Sequence, residues 1–203
     1  MTTRLTSLRL RWLLLAVAVV GSALAAGFSQ PAGAAVSCAT GAGTQMFLPW
    51  NDSRSYVLAP GGDFESSAGW TFAGGAAVGL GNEPSFVHGK YDSRSLSLPV
   101  GGSATTPSIC IDPTQPTLRF FLSGPAASSG AKLSVDMVYT DQFGQVKTTS
   151  MGTLTGGSWD LGHSLGIPQK LASPSVQFRF TVTGTGPASF KLDDVYIDPY
   201  IRH

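Results

Sequence analysis

The sequence predicts an all-β protein, a two-sheet antiparallel β-sandwich that follows a removable N-terminal leader. Three observations predict it. Beyond the leader, apolar residues alternate with polar ones or stop at Gly or Pro, and no stretch sustains a helical period. The 203 residues include 25 glycines and 13 prolines, the punctuation of short strands joined by tight turns. The closing segment, Phe190-Lys-Leu-Asp-Asp-Val-Tyr-Ile-Asp-Pro199, places its apolar residues on one parity at Phe190 and Leu192 and on the other at Val195 and Ile197. A strand has period two, so that switch requires an extra residue, a β-bulge at Asp193-Asp194.

The leader comes first. Arg4, Arg9 and Arg11 precede an apolar run from Trp12 to Val20, and small residues continue to Ala32-Gly33-Ala34. That is the pattern of a secretory signal peptide over residues 1–34, and with no adjacent Arg pair it indicates the general secretion route. The run is too short for a membrane span, which needs roughly 20 apolar residues. The expected location is extracellular, with no stable membrane span after cleavage. Cleavage takes three of the 13 basic residues with it and tips the balance slightly acidic against 12 Asp and Glu. No basic cluster is left to neutralise phosphates, which excludes nucleic acid as the expected partner.

Cys38 and Cys110 are the two cysteines, and both lie in the exported part. An even pair in an oxidising compartment predicts one disulfide, worth about 4 kcal/mol on the chain-entropy model. The competing reading, a lipid-modified Cys38, would place that residue far beyond the apolar run and leave Cys110 without a mate.

The exported part then divides into an extended lead-in over residues 35–60, tied by the disulfide, and a single β-sandwich domain over residues 61–203. The lead-in contains Phe47-Leu-Pro-Trp50 and a short strand at Tyr56-Val-Leu58, and reads as peripheral. Gly61-Gly-Asp-Phe-Glu65 leads through a turn to Gly69-Trp-Thr-Phe72; Gly74 to Gly81 is too glycine-rich to assign, and Phe86-Val87 reads as a short strand. Ser95-Leu-Ser-Leu98 alternates, and Pro107 within Ala104–Ile111 suits an edge strand. In the second half, Leu118, Phe120 and Leu122 share a face, as do Leu133, Val135, Met137 and Tyr139. Asp141-Gln-Phe-Gly144 makes a turn with Gly144 free to take positive φ, and the chain returns over Gln145–Leu154. Val176, Phe178, Phe180 and Val182 alternate with Gln177, Arg179, Thr181 and Thr183, a half-buried strand with one wet face. Gly184 to Pro187 turns that strand into the last one. Eight to ten strands and no helices are expected.

Three fragments in this order resemble the jelly-roll, galactose-binding-like carbohydrate-binding modules of secreted bacterial glycoside hydrolases. They are Gly61-Gly-Asp-Phe-Glu65 with Gly69-Trp70, then His88-Gly89 leading into Ser95-Leu-Ser-Leu98, and Leu192-Asp-Asp-Val195. The exported chain is also similar to small secreted proteins of high-GC Gram-positive bacteria, which carry the same Phe-Leu-Pro-Trp start and Asp-Asp-Val-Tyr-Ile-Asp-Pro-Tyr end. The first resemblance implies that the opening and closing fragments lie side by side and share a structural calcium, with Glu65 and Asp193 as ligands and Asp63 as a weaker candidate. Calcium takes six to eight oxygens, so glycine-flanked carbonyls would complete the set. The alternative is that these acids are solvated or paired with Lys191 or Arg54.

The resemblance further implies a non-catalytic extracellular module that binds a glycan or cell-wall polymer. Sugar recognition rests on open rings that stack on pyranose C–H groups. Trp50, Tyr91, Phe143 and Trp159 are the candidates; Tyr139 and Trp159 also read as packing residues, and Trp70 as core. The second reading is a secreted structural or interaction protein of the cell exterior without a sugar site. A glycan-active enzyme comes third. No Gly-x-Ser-x-Gly elbow and no His pair at metal-ligand spacing is present, and His88 with Asp92, or His163 beside Asp160, makes no catalytic set.

Overall fold

The computed structural model describes residues 43–111, 117–162, 164–168 and 175–198. The leader at 1–34, Cys38 and His163 lie outside the described residues. The first described strands are β1 (Val57–Leu58), β2 (Thr71–Ala73), β3 (Ala77–Leu80), β4 (Arg94–Pro99), β5 (Ser103–Thr105) and β6 (Ile109–Cys110). They are followed by β7 (Thr117–Ser123), β8 (Lys132–Thr140), β9 (Val146–Leu154), β10 (Asp160–Leu161), β11 (Leu165–Gly166), β12 (Ser175–Thr183) and β13 (Ser189–Asp198). The expected eight to ten strands become thirteen among the described residues because several pair over only two residues. The expected absence of helix is corrected by single 3-10 turns at Leu48–Trp50 and Ala127–Ser129.

The chain is a two-sheet antiparallel β-sandwich. One sheet runs β10-β7-β13-β4-β3, with β1 also on β13 and β11 on β7; the other runs β2-β5-β12-β8-β9, with β6 also on β12. Alternation places the core as the sequence predicts: on β12, Val176, Phe178, Phe180 and Val182 are buried while Gln177, Arg179 and Thr181 are half-exposed. Phe120 of β7 meets Phe180 of β12 edge-on at 5.3 Å between ring centres, joining the two sheets. Trp70 is core, packed on Phe64 and Phe180, and its indole N–H donates to the Pro60 carbonyl at 2.9 Å. Gly144 takes φ +75° in the β8–β9 turn.

Three local expectations are corrected. Phe86-Val87 is a turn, with Phe86 at φ +50°. Gly74–Gly81 contains the strand β3 at one end of its sheet. Ala104–Ile111 is an edge only in part: β5 lies between β2 and β12, β6 pairs with β12 alone among the described strands, and Pro107 falls in the gap between β5 and β6, where no ladder bond is lost.

The lead-in is also integral rather than peripheral. Thr44 bridges to Tyr56, and β1 adds to β13 by pairing Val57 with Ile197 and Leu58 with Tyr196. Phe47 is 0 % exposed and forms a second core with Tyr56, Phe121, Leu161 and Tyr196 on the outer side of the β13 sheet. Its ring lies edge-on to Tyr56 at 4.8 Å and to Tyr196 at 5.3 Å. Asp52 seals this core, accepting from Tyr56 Oη at 2.7 Å and from the guanidiniums of Arg54 and Arg119.

Candidate metal centre and binding groove

The bulge expected from the parity switch is present, and it organises one end of the sandwich. Asp193 pairs with Phe121, yet pairing resumes at Tyr196 with Arg119, so β13 carries one extra residue. Asp194 takes it up at φ +52°, a left-handed conformation that Asp tolerates better than most side chains. β4 pairs with β13 only up to Leu192, and β1 takes over the strand at Tyr196. The opening between them is filled by residues 59–65 and by the loop from Gly81 to Ser93.

Three carboxylates are buried there: Asp193 and Glu83 at 0 % exposure and Asp194 at 2 %. Asp193 Oδ2 accepts from the Glu83 N–H at 3.0 Å, and its Oδ1 from the Asp194 N–H at 3.0 Å. Glu83 folds its own loop, with Oε2 accepting from the Ser85 N–H and Oε1 from the Val87 N–H, both at 2.5 Å. That brings the His88 N–H to Asp194 Oδ2 at 3.3 Å. His88 Nδ1 lies 2.8 Å from Asp92 Oδ2 and 3.6 Å from Asp63 Oδ2.

Burial pushes the Asp193 carboxyl up to about 8, with the Asp194 charge adding to it against the Glu83 N–H. Burial likewise raises Asp194 to about 7, and Glu83 is the largest charge acting on it. Burial lowers the pKa of His88, but the hydrogen bond to Asp92 and the charges of Asp63, Asp92 and Asp194 outweigh it and leave the imidazole above its ordinary value. A buried carboxylate resists ionisation unless a cation or donors compensate it. Among the described residues no lysine or arginine pairs with Asp63, Glu83, Asp92, Asp193 or Asp194.

His88, Asp92 and Asp194 each present one ligand atom, and these lie within 4.8 Å of one another. Of the acids nominated from the sequence, Asp63 and Asp193 sit around this cluster. The Glu65 carboxylate is directed at the start of β4, accepting from the Ser93 N–H at 2.6 Å and the Arg94 N–H at 2.7 Å. Arg54 pairs with Asp52 and Asp198 rather than with the nominated acids. Lys191 Nζ lies 3.5 Å from the Leu80 carbonyl. Glu83 escaped the sequence reading; His88 entered it as part of the second fragment of the resemblance and, with Asp92, as a non-catalytic pair. The i,i+4 spacing of His88 and Asp92 within a glycine-flanked loop was the available signal.

The nominated rings separate into two kinds. Trp50 packs edge-on to Phe121 at 5.4 Å as part of the second core. Tyr139 packs on the main core. Tyr91, with Lys90 Nζ 4.7 Å above its ring, and Phe143 at the β8–β9 turn are exposed. Trp159 is half-buried and lines a groove of about 470 Å³. The groove wall is the segment 155–162, with Leu122 and Leu154 at its base. This wall is held to the end of β7: the Gly124 N–H donates to the Gly157 carbonyl at 3.0 Å and the Gly156 N–H to the Pro125 carbonyl at 3.1 Å. A Cβ on Gly156 would fall 2.4 Å from the Gly124 backbone, so only glycine permits this approach.

No protein-family model matches the chain, and no curated protein sequence matches it. Among solved structures, the enzymatically active domain of tailspike protein 4 from bacteriophage CBA120 is similar at a TM-score of 0.50 and 17 % identity, over 69 % of this chain and 21 % of that one. A family 61 carbohydrate-binding module in complex with β-1,4-galactotriose is similar at 0.48 and 17 %, over 72 % and 98 % of the two chains. The CBM22-1 xylan-binding domain of Paenibacillus barcinonensis Xyn10C gives 0.45 and 16 %, over 66 % and 88 %. The likeness is one of fold. One sandwich architecture hosts many functions, so what this chain binds has to be argued from its own site.

Proposed function

We propose that this sandwich is a non-catalytic extracellular module that binds a glycan or another cell-surface polymer, and that the groove at Trp159 receives it. The single observation that carries the reading is the half-buried indole in a groove of about 470 Å³. One ring face packs an apolar sugar surface, while Thr155, Ser158, Asp160 and the loop carbonyls supply partners for hydroxyls. Because backbone bonds to residues 124–125 hold the loop, little ordering entropy is lost when a ligand enters. The reading includes export by the leader at 1–34 and a Cys38–Cys110 disulfide. Both are checked by the intact mass of the secreted protein before and after reduction.

The test is retention on a panel of insoluble polysaccharides and a glycan array. The wild type binds at least one polymer, Trp159→Ala weakens that binding on the order of tenfold or more, and Tyr91→Ala and Phe143→Ala leave it unchanged. Failure of the wild type on every polymer overturns the reading. One observation favours the second reading, a structural or interaction protein. The outer face of the β12 sheet sets Arg179 between Asp136 and Thr105 among serines and threonines, with no open ring across it in the described residues. Retention in the cell-wall fraction without glycan binding selects that reading.

A further inference from the structure

Asp160 gives the Trp159 groove a sign. On β10 it pairs with Leu122, while Leu161 pairs with Phe121. Cross-strand partners share a face, so Asp160 stands with Leu122 on the groove side and Leu161 with Phe121 in the second core. The Asp160 carboxylate is exposed, and among the described residues no hydrogen bond or ion pair engages it. No described lysine, arginine or histidine lines the groove. Arg119 on β7 has the parity of Phe121, lies over the Phe47 ring of the second core and is bound to Asp52. Lys147 is at the other end of β9 from Leu154, bonded to Gln145 and Asp141. One uncompensated negative charge therefore lines the groove beside an indole.

The hydrogen-bonding capacity of the wall leans the same way. The Gly156 and Gly162 N–H groups are already spent on the Pro125 and Phe120 carbonyls, and the carboxylate only accepts. A ligand matched to this wall brings donors. A sugar hydroxyl offers one, whereas a protonated amine offers three, together with the charge that Asp160 lacks as a partner. We propose that the glycan received here is an amino sugar polymer with free amines, its ammonium paired with Asp160 beside the Trp159 ring. Trp is the aromatic side chain that best attracts a cation, so both groups favour the same charge. N-acetylation removes that charge, and a uronic carboxylate meets Asp160 with like sign. The choice of ligand class rests on the glycan reading of the groove, and experiment separates the two.

The experiment titrates the full chain by calorimetry with soluble β-linked oligomers of glucosamine, of N-acetylglucosamine and of glucose, which differ in one ring substituent, and with an oligogalacturonate. The glucosamine oligomer binds roughly 5–20-fold tighter than the N-acetylated one, the combined effect of an exposed ion pair and a cation on a ring. The oligogalacturonate binds weakest. Added salt shrinks the preference for the amine, since exposed charges are screened. Asp160→Asn brings the glucosamine oligomer level with its N-acetylated counterpart, and Trp159→Ala weakens binding of both. Asp136→Asn, on the outer face of the β12 sheet, leaves the preference intact, which separates the groove from attraction of a polycation to any surface acid. The wild-type comparison needs no variant to fold. Equal affinity for the amine and acetylated oligomers, a preference that survives in Asp160→Asn, or one lost in Asp136→Asn overturns the proposal. Where a neutral glycan still binds at Trp159, that result leaves the glycan reading standing; if no polymer or oligomer binds, both fall.

Discussion

The Val195 N–H donates to the Gly62 carbonyl at 3.0 Å, across the point where the opening of the sandwich meets its close. The two residues are so close that a Cβ on Gly62 would lie 2.7 Å from the Val195 carbonyl oxygen and 3.0 Å from that of Ala59. The Ala59 N–H donates back to the same Val195 carbonyl at 2.8 Å. This seam holds residues 59–65 against the bulge, and so places Asp63 beside His88.

Gly62→Ala therefore destabilises the fold by overpacking, at a cost of about 1–3 kcal/mol. Urea unfolding measures it; a neutral result would mean that the seam opens freely.

Phe47→Ala tests whether the lead-in belongs to the fold. Removing a fully buried ring from the second core costs about 3–5 kcal/mol in equilibrium denaturation. A peripheral arm would lose almost nothing.

Acid stability depends on Asp52. Burial works to raise its pKa, but hydrogen bonds from Arg54 and Tyr56 outweigh that and hold the carboxyl well below 3.8. A lowered folded value contributes stability that is complete above the unfolded pKa and is lost as pH falls through the folded one. Unfolding free energy should therefore decline below about pH 4. Asp52→Asn lowers stability at pH 7 by on the order of 3 kcal/mol, since Arg119 loses its counter-charge and Arg54 keeps only Asp198, at 3.8 Å, and it flattens the acid limb. An acid limb unchanged in the variant would assign the pH dependence to other carboxylates.

Glu83→Gln removes one of the two acceptors that shape the 81–93 loop, and costs about 1–3 kcal/mol locally. Hydrogen exchange at the Ser85 and Val87 amides should accelerate while amides in β8 and β12 stay protected. Uniform acceleration would instead report global loosening.

Much of the architecture was legible from residue order, because a strand writes its two faces into alternate positions. β12 announced its buried row from Val176 to Val182, and the parity switch between Leu192 and Val195 located the bulge to the residue. Phe86-Val87 misled because two apolar residues in a turn look like a clipped strand, while the backbone there is set by Glu83 folding onto its own N–H groups. Phe47 carries no local sign that it will lie 5.3 Å from Tyr196.

What the chain determined alone is which segments are strands, which face of each is apolar, and that two adjacent acids sit where β13 breaks its period. Only the tertiary structure decided that Asp194 meets His88 and Asp92 across 102–106 positions of chain, with Asp193 bonded to the Glu83 N–H and Glu65 bonded to the start of β4. Alternation is a property of neighbours, readable within a few residues. The company a buried carboxylate keeps is set by which loops the two sheets bring to the same end, and no local pattern encodes that.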